Sequence, residues 1–223
     1  MRVVFVHGAC VRDGAWWWHP TGELLEQAGV ESVAAPLPSC GEGGHGGLSE
    51  DVAAVRALLA EEPAVVVAHS YGGIVTAQAA AGLDTVRHVV LISSYLARPG
   101  ESLATFGGGA PPPWIDADPE TGTVTVRAEY LADVFLQDCR AFAAEAAARL
   151  VRQNLQVTQQ PVAAAAWDEV PTTYLVCAQD RGTPAERQRA FAARADRVVE
   201  VEAGHHPFLS QPAVVRDLVA AAA

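Results

Sequence analysis

Short runs of β-branched residues alternate along this chain with stretches of helical periodicity, and that alternation restricts the fold more than any other feature. Residues 3–6, 32–35, 64–68, 89–92, 173–177 and 198–201 are largely apolar and rich in β-branched residues, continuous rather than alternating, the pattern of strands buried on both faces. Between them, residues 22–28, 48–61, 71–82, 184–194 and 212–220 place apolar side chains at i, i+3 and i+4. Ser49 ahead of Val52, Val55, Leu58 and Leu59 marks a helix start, with Glu50 and Asp51 at its positive end. Strand, helix, strand repeated in this way requires right-handed crossovers and a parallel sheet between helical layers. The expectation is an α/β fold of about six mainly parallel strands, flanked by helices. With 223 residues, half of them hydrophobic, one domain spanning 1–223 can bury a core large enough to offset the entropy of ordering the backbone.

The rhythm breaks between about residues 95 and 170. This stretch opens with a Gly/Pro-rich run at 107–113, continues through a short extended piece at 123–126, and ends in two expected helices near 129–135 and 140–151. It is expected to be an inserted, mainly helical cap lying over the carboxyl edge of the sheet. Residues 41–47 read as a flexible connection.

Composition narrows the chemistry. All 15 basic residues are Arg, so Schiff-base and P-loop lysine chemistry have no lysine to use. Fifteen arginines among 26 acids, for a formal charge of −11, offer no basic stripe for nucleic acid or an anionic membrane. Cys10, Cys40, Cys139 and Cys177 form no C-x-x-C spacing, and His19, His45 and His88 lie far from one another, so no metal site and no cofactor are expected. The amino-terminal residues have no charged leader ahead of the first apolar run, and no stretch is long enough to span a bilayer. A cytoplasmic protein is the expectation.

Three segments carry candidate chemistry. Ala68-His69-Ser70-Tyr71-Gly72-Gly73 follows an apolar run and opens a helical pattern, as in the strained turn that lifts a nucleophilic serine clear of a sheet. A serine at its ordinary pKa needs a positioned base, and the base needs an orienting carboxylate. Asp180, just beyond the run at 173–177, and His205, just beyond 198–201, can provide them. Asp168 and Asp196 compete with Asp180 but follow no buried run directly, and His206 competes with His205. His7-Gly8-Ala9-Cys10 ends the first run. Its Ala9 amide, with that of Tyr71, is the expected oxyanion hole. His69 is expected to be structural. Phe106, Trp114, Phe135, Phe142 and Trp167, with His206, are candidates for a pocket over Ser70.

The order Ser70, Asp180, His205 is that of the α/β-hydrolase sheet, and the sequence resembles that superfamily. More narrowly, it resembles the small-esterase branch that includes plant methylesterases, hydroxynitrile lyases and bacterial relatives. The resemblance rests on Val4-Phe5-Val6-His7-Gly8-Ala9-Cys10 with Gly14-Ala15-Trp16, on His69 to Gly73, on Cys177-Ala178-Gln179-Asp180-Arg181, on Gly204 to Ser210, and on Pro99 to Leu103. It implies an α/β-hydrolase fold in which Ser70 is nucleophile, His205 general base and acid, and Asp180 its orienter. Two departures stand out. Val11-Arg12-Asp13 replaces the single His usual in that loop, and His206 stands where the hydroxynitrile lyases carry a Lys after the catalytic His. The cyanohydrin route is therefore disfavoured.

The expectation is thus a serine esterase acting on a small carboxylic ester or lactone. The alternatives are a lactonisation, cyclisation, decarboxylation or C–C lyase step on the same residues, and a receptor-like ligand-binding role. The expected partner is a small ester-like molecule, with self-association into a homodimer left open.

Overall fold

The computed structural model describes residues 1–41, 46–107 and 111–222. His45 and parts of the runs at 41–47 and 107–113 lie outside them.

The elements run β1 (Arg2–Val6), α1 (Gly14–Gln27), β2 (Ser32–Ala34), α2 (Leu48–Leu59), β3 (Ala64–His69), α3 (Gly72–Ala79), β4 (Val86–Ile92), β5 (Ile115–Asp118), β6 (Thr123–Val126), α4 (Ala143–Ala147), β7 (Gln153–Asn154), β8 (Thr172–Cys177), α5 (Ala185–Ala192), β9 (Arg197–Val201), α6 (Pro207–Ser210) and α7 (Pro212–Ala220). Six of the strands form one sheet in the order β2-β1-β3-β4-β8-β9, parallel throughout. Successive residues face opposite sides, so the continuous apolar runs supply two cores. Val4, Val6, Val66, Ala68, Leu91 and Val176 pack against α2 and α3 on one face, while Val3, Phe5, Val65, Val67, Val90 and Leu175 pack toward α1 and α7 on the other. The expected burial on both faces applies to the four inner strands. β2 and β9 are the sheet edges and only partly buried, and Val198 is half exposed.

Two helical segments differ from the sequence reading. α1 begins well before residue 22, because Asp13 caps it by accepting the Trp16 amide. Pro20 lies within α1 and has no N–H for the Trp16 carbonyl. The His19 ring supplies that donor from Nδ1 at 2.6 Å. Between β4 and β8, the helices expected near 129–135 and 140–151 are short: 3₁₀ turns at Ala128–Tyr130 and Arg140–Phe142, a π turn at Leu131–Phe135, and the single-turn α4. The same stretch holds a second, antiparallel sheet, β5-β6-β7, which the sequence showed only at 123–126.

β1 is an inner strand, with β2 on one side and β3 on the other, so the chain reverses its direction of travel across the sheet between these strands. The crevice beyond the carboxyl ends of β1 and β3 is where open α/β sheets place ligands. The segments after β1, β3, β4, β8 and β9 all lead to this edge. Leu91 is fully buried in β4 at the centre of the sheet. Leu91→Ala is expected to cost about 3 kcal/mol of unfolding free energy, read from urea titration; a loss below about 1 kcal/mol would show that the core relaxes around the gap.

Candidate active site

Ser70 sits at the β3–α3 turn with φ 51°, in the left-handed region that non-glycine residues rarely occupy. The turn holds because its neighbours permit close approach. A side-chain carbon at Gly72 would lie 2.5 Å from the Val6 carbonyl oxygen and 2.8 Å from that of His7; at Gly73 it would meet Ser94 Oγ and the Tyr95 carbonyl. Behind the turn, the Ser94 hydroxyl donates to the Ser70 carbonyl at 2.6 Å, and the Tyr174 phenol donates to the Ser94 carbonyl at 2.6 Å. Among the described residues, neither the Tyr71 amide nor the Ala9 amide donates a hydrogen bond. Both residues line the same cavity as Ser70.

His205 reaches this cavity from the loop after β9. Its Nδ1–H donates to Asp180 Oδ2 at 2.7 Å, which leaves Nε2 as the acceptor. Asp180 receives five donors: the amides of Gly182 and Thr183 on Oδ1 at 2.7 and 2.9 Å, and His205, Gln188 and the Ser93 hydroxyl on Oδ2. Burial alone pushes its carboxyl pKa up, but His205, Ser93 and Thr183 outweigh this and hold it below the usual carboxylate range. The loop carrying His205 is braced from the β4–β8 stretch, where Asp138 accepts the Gly204 amide at 2.7 Å and Gln137 donates to the Gln179 carbonyl at 2.7 Å.

Ser93 was not singled out in the sequence, although it ends a strand as Ser70 does and has φ 43°. It is fully buried, its hydroxyl donates to Asp180, and it lies 3.1 Å from His205 on the Nδ1 side. His69, expected to be structural, donates from Nε2 to the His205 carbonyl at 3.0 Å and also lines the cavity. His206 donates from Nδ1 to the Phe135 carbonyl at 3.0 Å and stacks on Trp17.

The cavity encloses about 160 Å³. Ser70, Tyr71, Ala9, His205 and His206 line it, with Trp114 and Phe135 from the β4–β8 stretch. The other three candidate aromatics are placed elsewhere. Phe106 stacks on Tyr95 and meets Phe191 edge-on, Phe142 packs against Trp16 and His19, and Trp167 packs on the α3 side of the core. Sequence position alone did not separate these rings, because all lie in the same inserted stretch. Trp17, Tyr95 and Phe208 were missed as lining residues because they belong to segments outside the expected cap or at its border. No Arg, Asp or Glu is among the described lining residues, and the described residues hold no cluster of His, Cys, Asp and Glu that could bind a metal ion.

Burial lowers the pKa of His206 from 6.5 to about 3, and it also lowers those of His7 and His69. Below about pH 6.5 the unfolded chain takes up protons that these folded histidines refuse, so folding stability rises with pH across that window. His206→Phe removes one such proton. It is expected to flatten the rise between about pH 4 and 6 by up to about 1.4 kcal/mol per pH unit, measured by urea unfolding across the range. Parallel slopes for the two proteins would contradict the buried neutral imidazole.

Comparison with known proteins gives these features a family. The sequence matches the alpha/beta hydrolase family over residues 3–218. It is 28% identical over 219 residues to the alpha/beta hydrolase nvfD of Aspergillus novofumigatus, covering 89% of this chain and 88% of that protein. It is 27% identical over 240 residues to polyneuridine aldehyde esterase of Rauvolfia serpentina, covering 94% and 90%. Among solved structures, the fold matches a pyrethroid hydrolase from Sphingobium faniae with a TM-score of 0.83 at 24% identity, over 99% of this chain and 96% of that one. With its six-stranded parallel sheet and its family match from end to end, this chain belongs to the alpha/beta hydrolase family.

Proposed function

We propose that the protein is a serine esterase that cleaves a small, uncharged carboxylic ester or lactone through an acyl-enzyme on Ser70. The observation that carries this reading is the pairing of a serine on a left-handed turn with a histidine in the same cavity whose Nδ1 is tied to a buried carboxylate. In this mechanism His205 Nε2 takes the Ser70 proton as the hydroxyl attacks the carbonyl, and Asp180 stabilises the imidazolium without itself being protonated. The free amides of Ala9 and Tyr71 then meet the oxyanion, supported by the positive end of α3. The proton passes to the leaving oxygen, and water activated by the same histidine releases the acyl group.

Ser93 also touches Asp180 and His205, and it is the rival nucleophile. Its hydroxyl is committed to Asp180, it sits on the wrong nitrogen of the imidazole, and it is fully buried. Ser70 is partly exposed and lines the cavity. The esterase among the relatives supports the same reaction class. The apolar, chargeless lining favours neutral ligands, since a charged group would lose its hydration there without a partner.

A fluorophosphonate is expected to label Ser70, found by peptide mass spectrometry. Ser70→Ala is expected to reduce p-nitrophenyl acetate turnover by at least about 10³-fold, while Ser93→Ala keeps both labelling and measurable turnover. Labelling at Ser93, or undiminished turnover in Ser70→Ala, would overturn the assignment.

A further inference from the structure

The two loops assigned to the oxyanion are joined, behind the cavity, by one buried network. Asp51 in the first turn of α2 is fully buried. It accepts the Ser39 amide at 2.9 Å, the Ser39 hydroxyl at 2.5 Å and the Tyr71 phenol at 2.6 Å. Gln153 in β7, also fully buried, donates from Nε2 to Ser39 Oγ at 2.8 Å, and its Oε1 accepts the Cys10 amide at 3.0 Å. The bonds therefore run from Cys10 through Gln153 and Ser39 to Asp51, and Tyr71 closes on the same carboxylate from the other side. Every donor in that chain points toward Asp51, an arrangement in which each bond polarises the next.

The two ends of the network are what give it meaning. Tyr71 follows Ser70, and Cys10 follows Ala9. Cys10 has φ 60°, so its loop is in a conformation that needs support, and the β4–β8 stretch supplies it from both sides. The Val151 amide donates to the Cys10 carbonyl at 2.9 Å, while Gln153 accepts the Cys10 amide. The oxyanion loops are thus tied to each other and to the inserted stretch that roofs the cavity.

We propose that Gln153 is a positioning residue for the oxyanion hole, holding the Ala9 loop through Cys10 and the Tyr71 amide through Ser39 and Asp51. This rests on Ser70 being the nucleophile. Gln153 does not touch the reacting atoms. It fixes the direction of two amides that do, and a misplacement of about 1 Å at such donors costs on the order of 10²-fold in rate.

The test compares Gln153→Leu and Tyr71→Phe with the parent enzyme, using p-nitrophenyl acetate as substrate and a trifluoromethyl ketone as the probe whose hemiketal oxygen rests on the two amides. Both variants are expected to lose kcat, by roughly 10- to 100-fold for Gln153→Leu, with KM nearly unchanged and ketone affinity falling in parallel with kcat/KM. The double variant should lose less than the product of the two single losses, since both act through one network. Gln153→Glu, which keeps an acceptor for the Cys10 amide, should recover part of kcat. A purely structural role would lower the melting temperature and leave kcat and ketone affinity intact, and that result overturns the proposal. Where Gln153→Leu fails to fold by circular dichroism, Tyr71→Phe, which removes a single hydroxyl, decides: unchanged ketone affinity overturns the proposal. Turnover that survives Ser70→Ala would instead overturn the nucleophile on which it rests.

Discussion

The close contact between the β3–α3 turn and the end of β1 is the constraint on which the site depends. Gly72 lies so near the Val6 and His7 carbonyls that no side-chain carbon fits, and this contact fixes where Ser70 emerges relative to Ala9. Without it, α3 would stand further from β1, and Ala9 and Tyr71 would line the cavity less closely together. Strain at Ser70 is then sustained by atoms far from the reaction: Ser94 and Tyr174 behind the turn, and the two apolar cores on either face of the sheet. The left-handed turn at Ser70 is stable here because it is over-determined by packing.

Much of this was legible in the sequence, for a definite reason. Inner strands of a parallel sheet must be apolar on both faces, so residues 64–68 and 173–177 announce themselves, and the residues just beyond them fall at the carboxyl edge by topology. That logic placed Ser70, Asp180 and His205 at one edge of the sheet without coordinates. It misjudged the edge strands, whose runs look alike but have one neighbour fewer. It also failed wherever function depended on tertiary contact. Asp51 read as a favourable charge at a helix start, yet it is a buried acceptor for Ser39 and Tyr71. Gln153 carried no signal, because its partners are distant in sequence. Ser93 could have been noticed as a second serine at a strand end, but its bond to Asp180 could not.

The inserted stretch was the least predictable part. Its elements are single turns and strands of two to four residues, too short for periodicity to emerge. Tertiary contacts supply its order, and several of them reach the loops of the site. Asp138 and Gln137 hold the segments around Gly204 and Gln179, and Phe135 presses on Gly182 so closely that no side chain could stand there. The five aromatic candidates from this stretch therefore divided between lining and packing according to contacts that only the assembled fold defines.

The absence of charge among the described lining residues bears on what happens after the reaction as well as before it. In the proposed reaction a neutral ester becomes a carboxylate, and an anion in an apolar cavity has lost its water without gaining a cation. Burial holds the pKa values of His69 and His206 low, so neither makes a good counter-ion. The protein outside is itself strongly acidic. Charge created by the proposed chemistry would thus be repelled from the place of its creation, and a lining suited to a neutral ligand would disfavour its return as an acid.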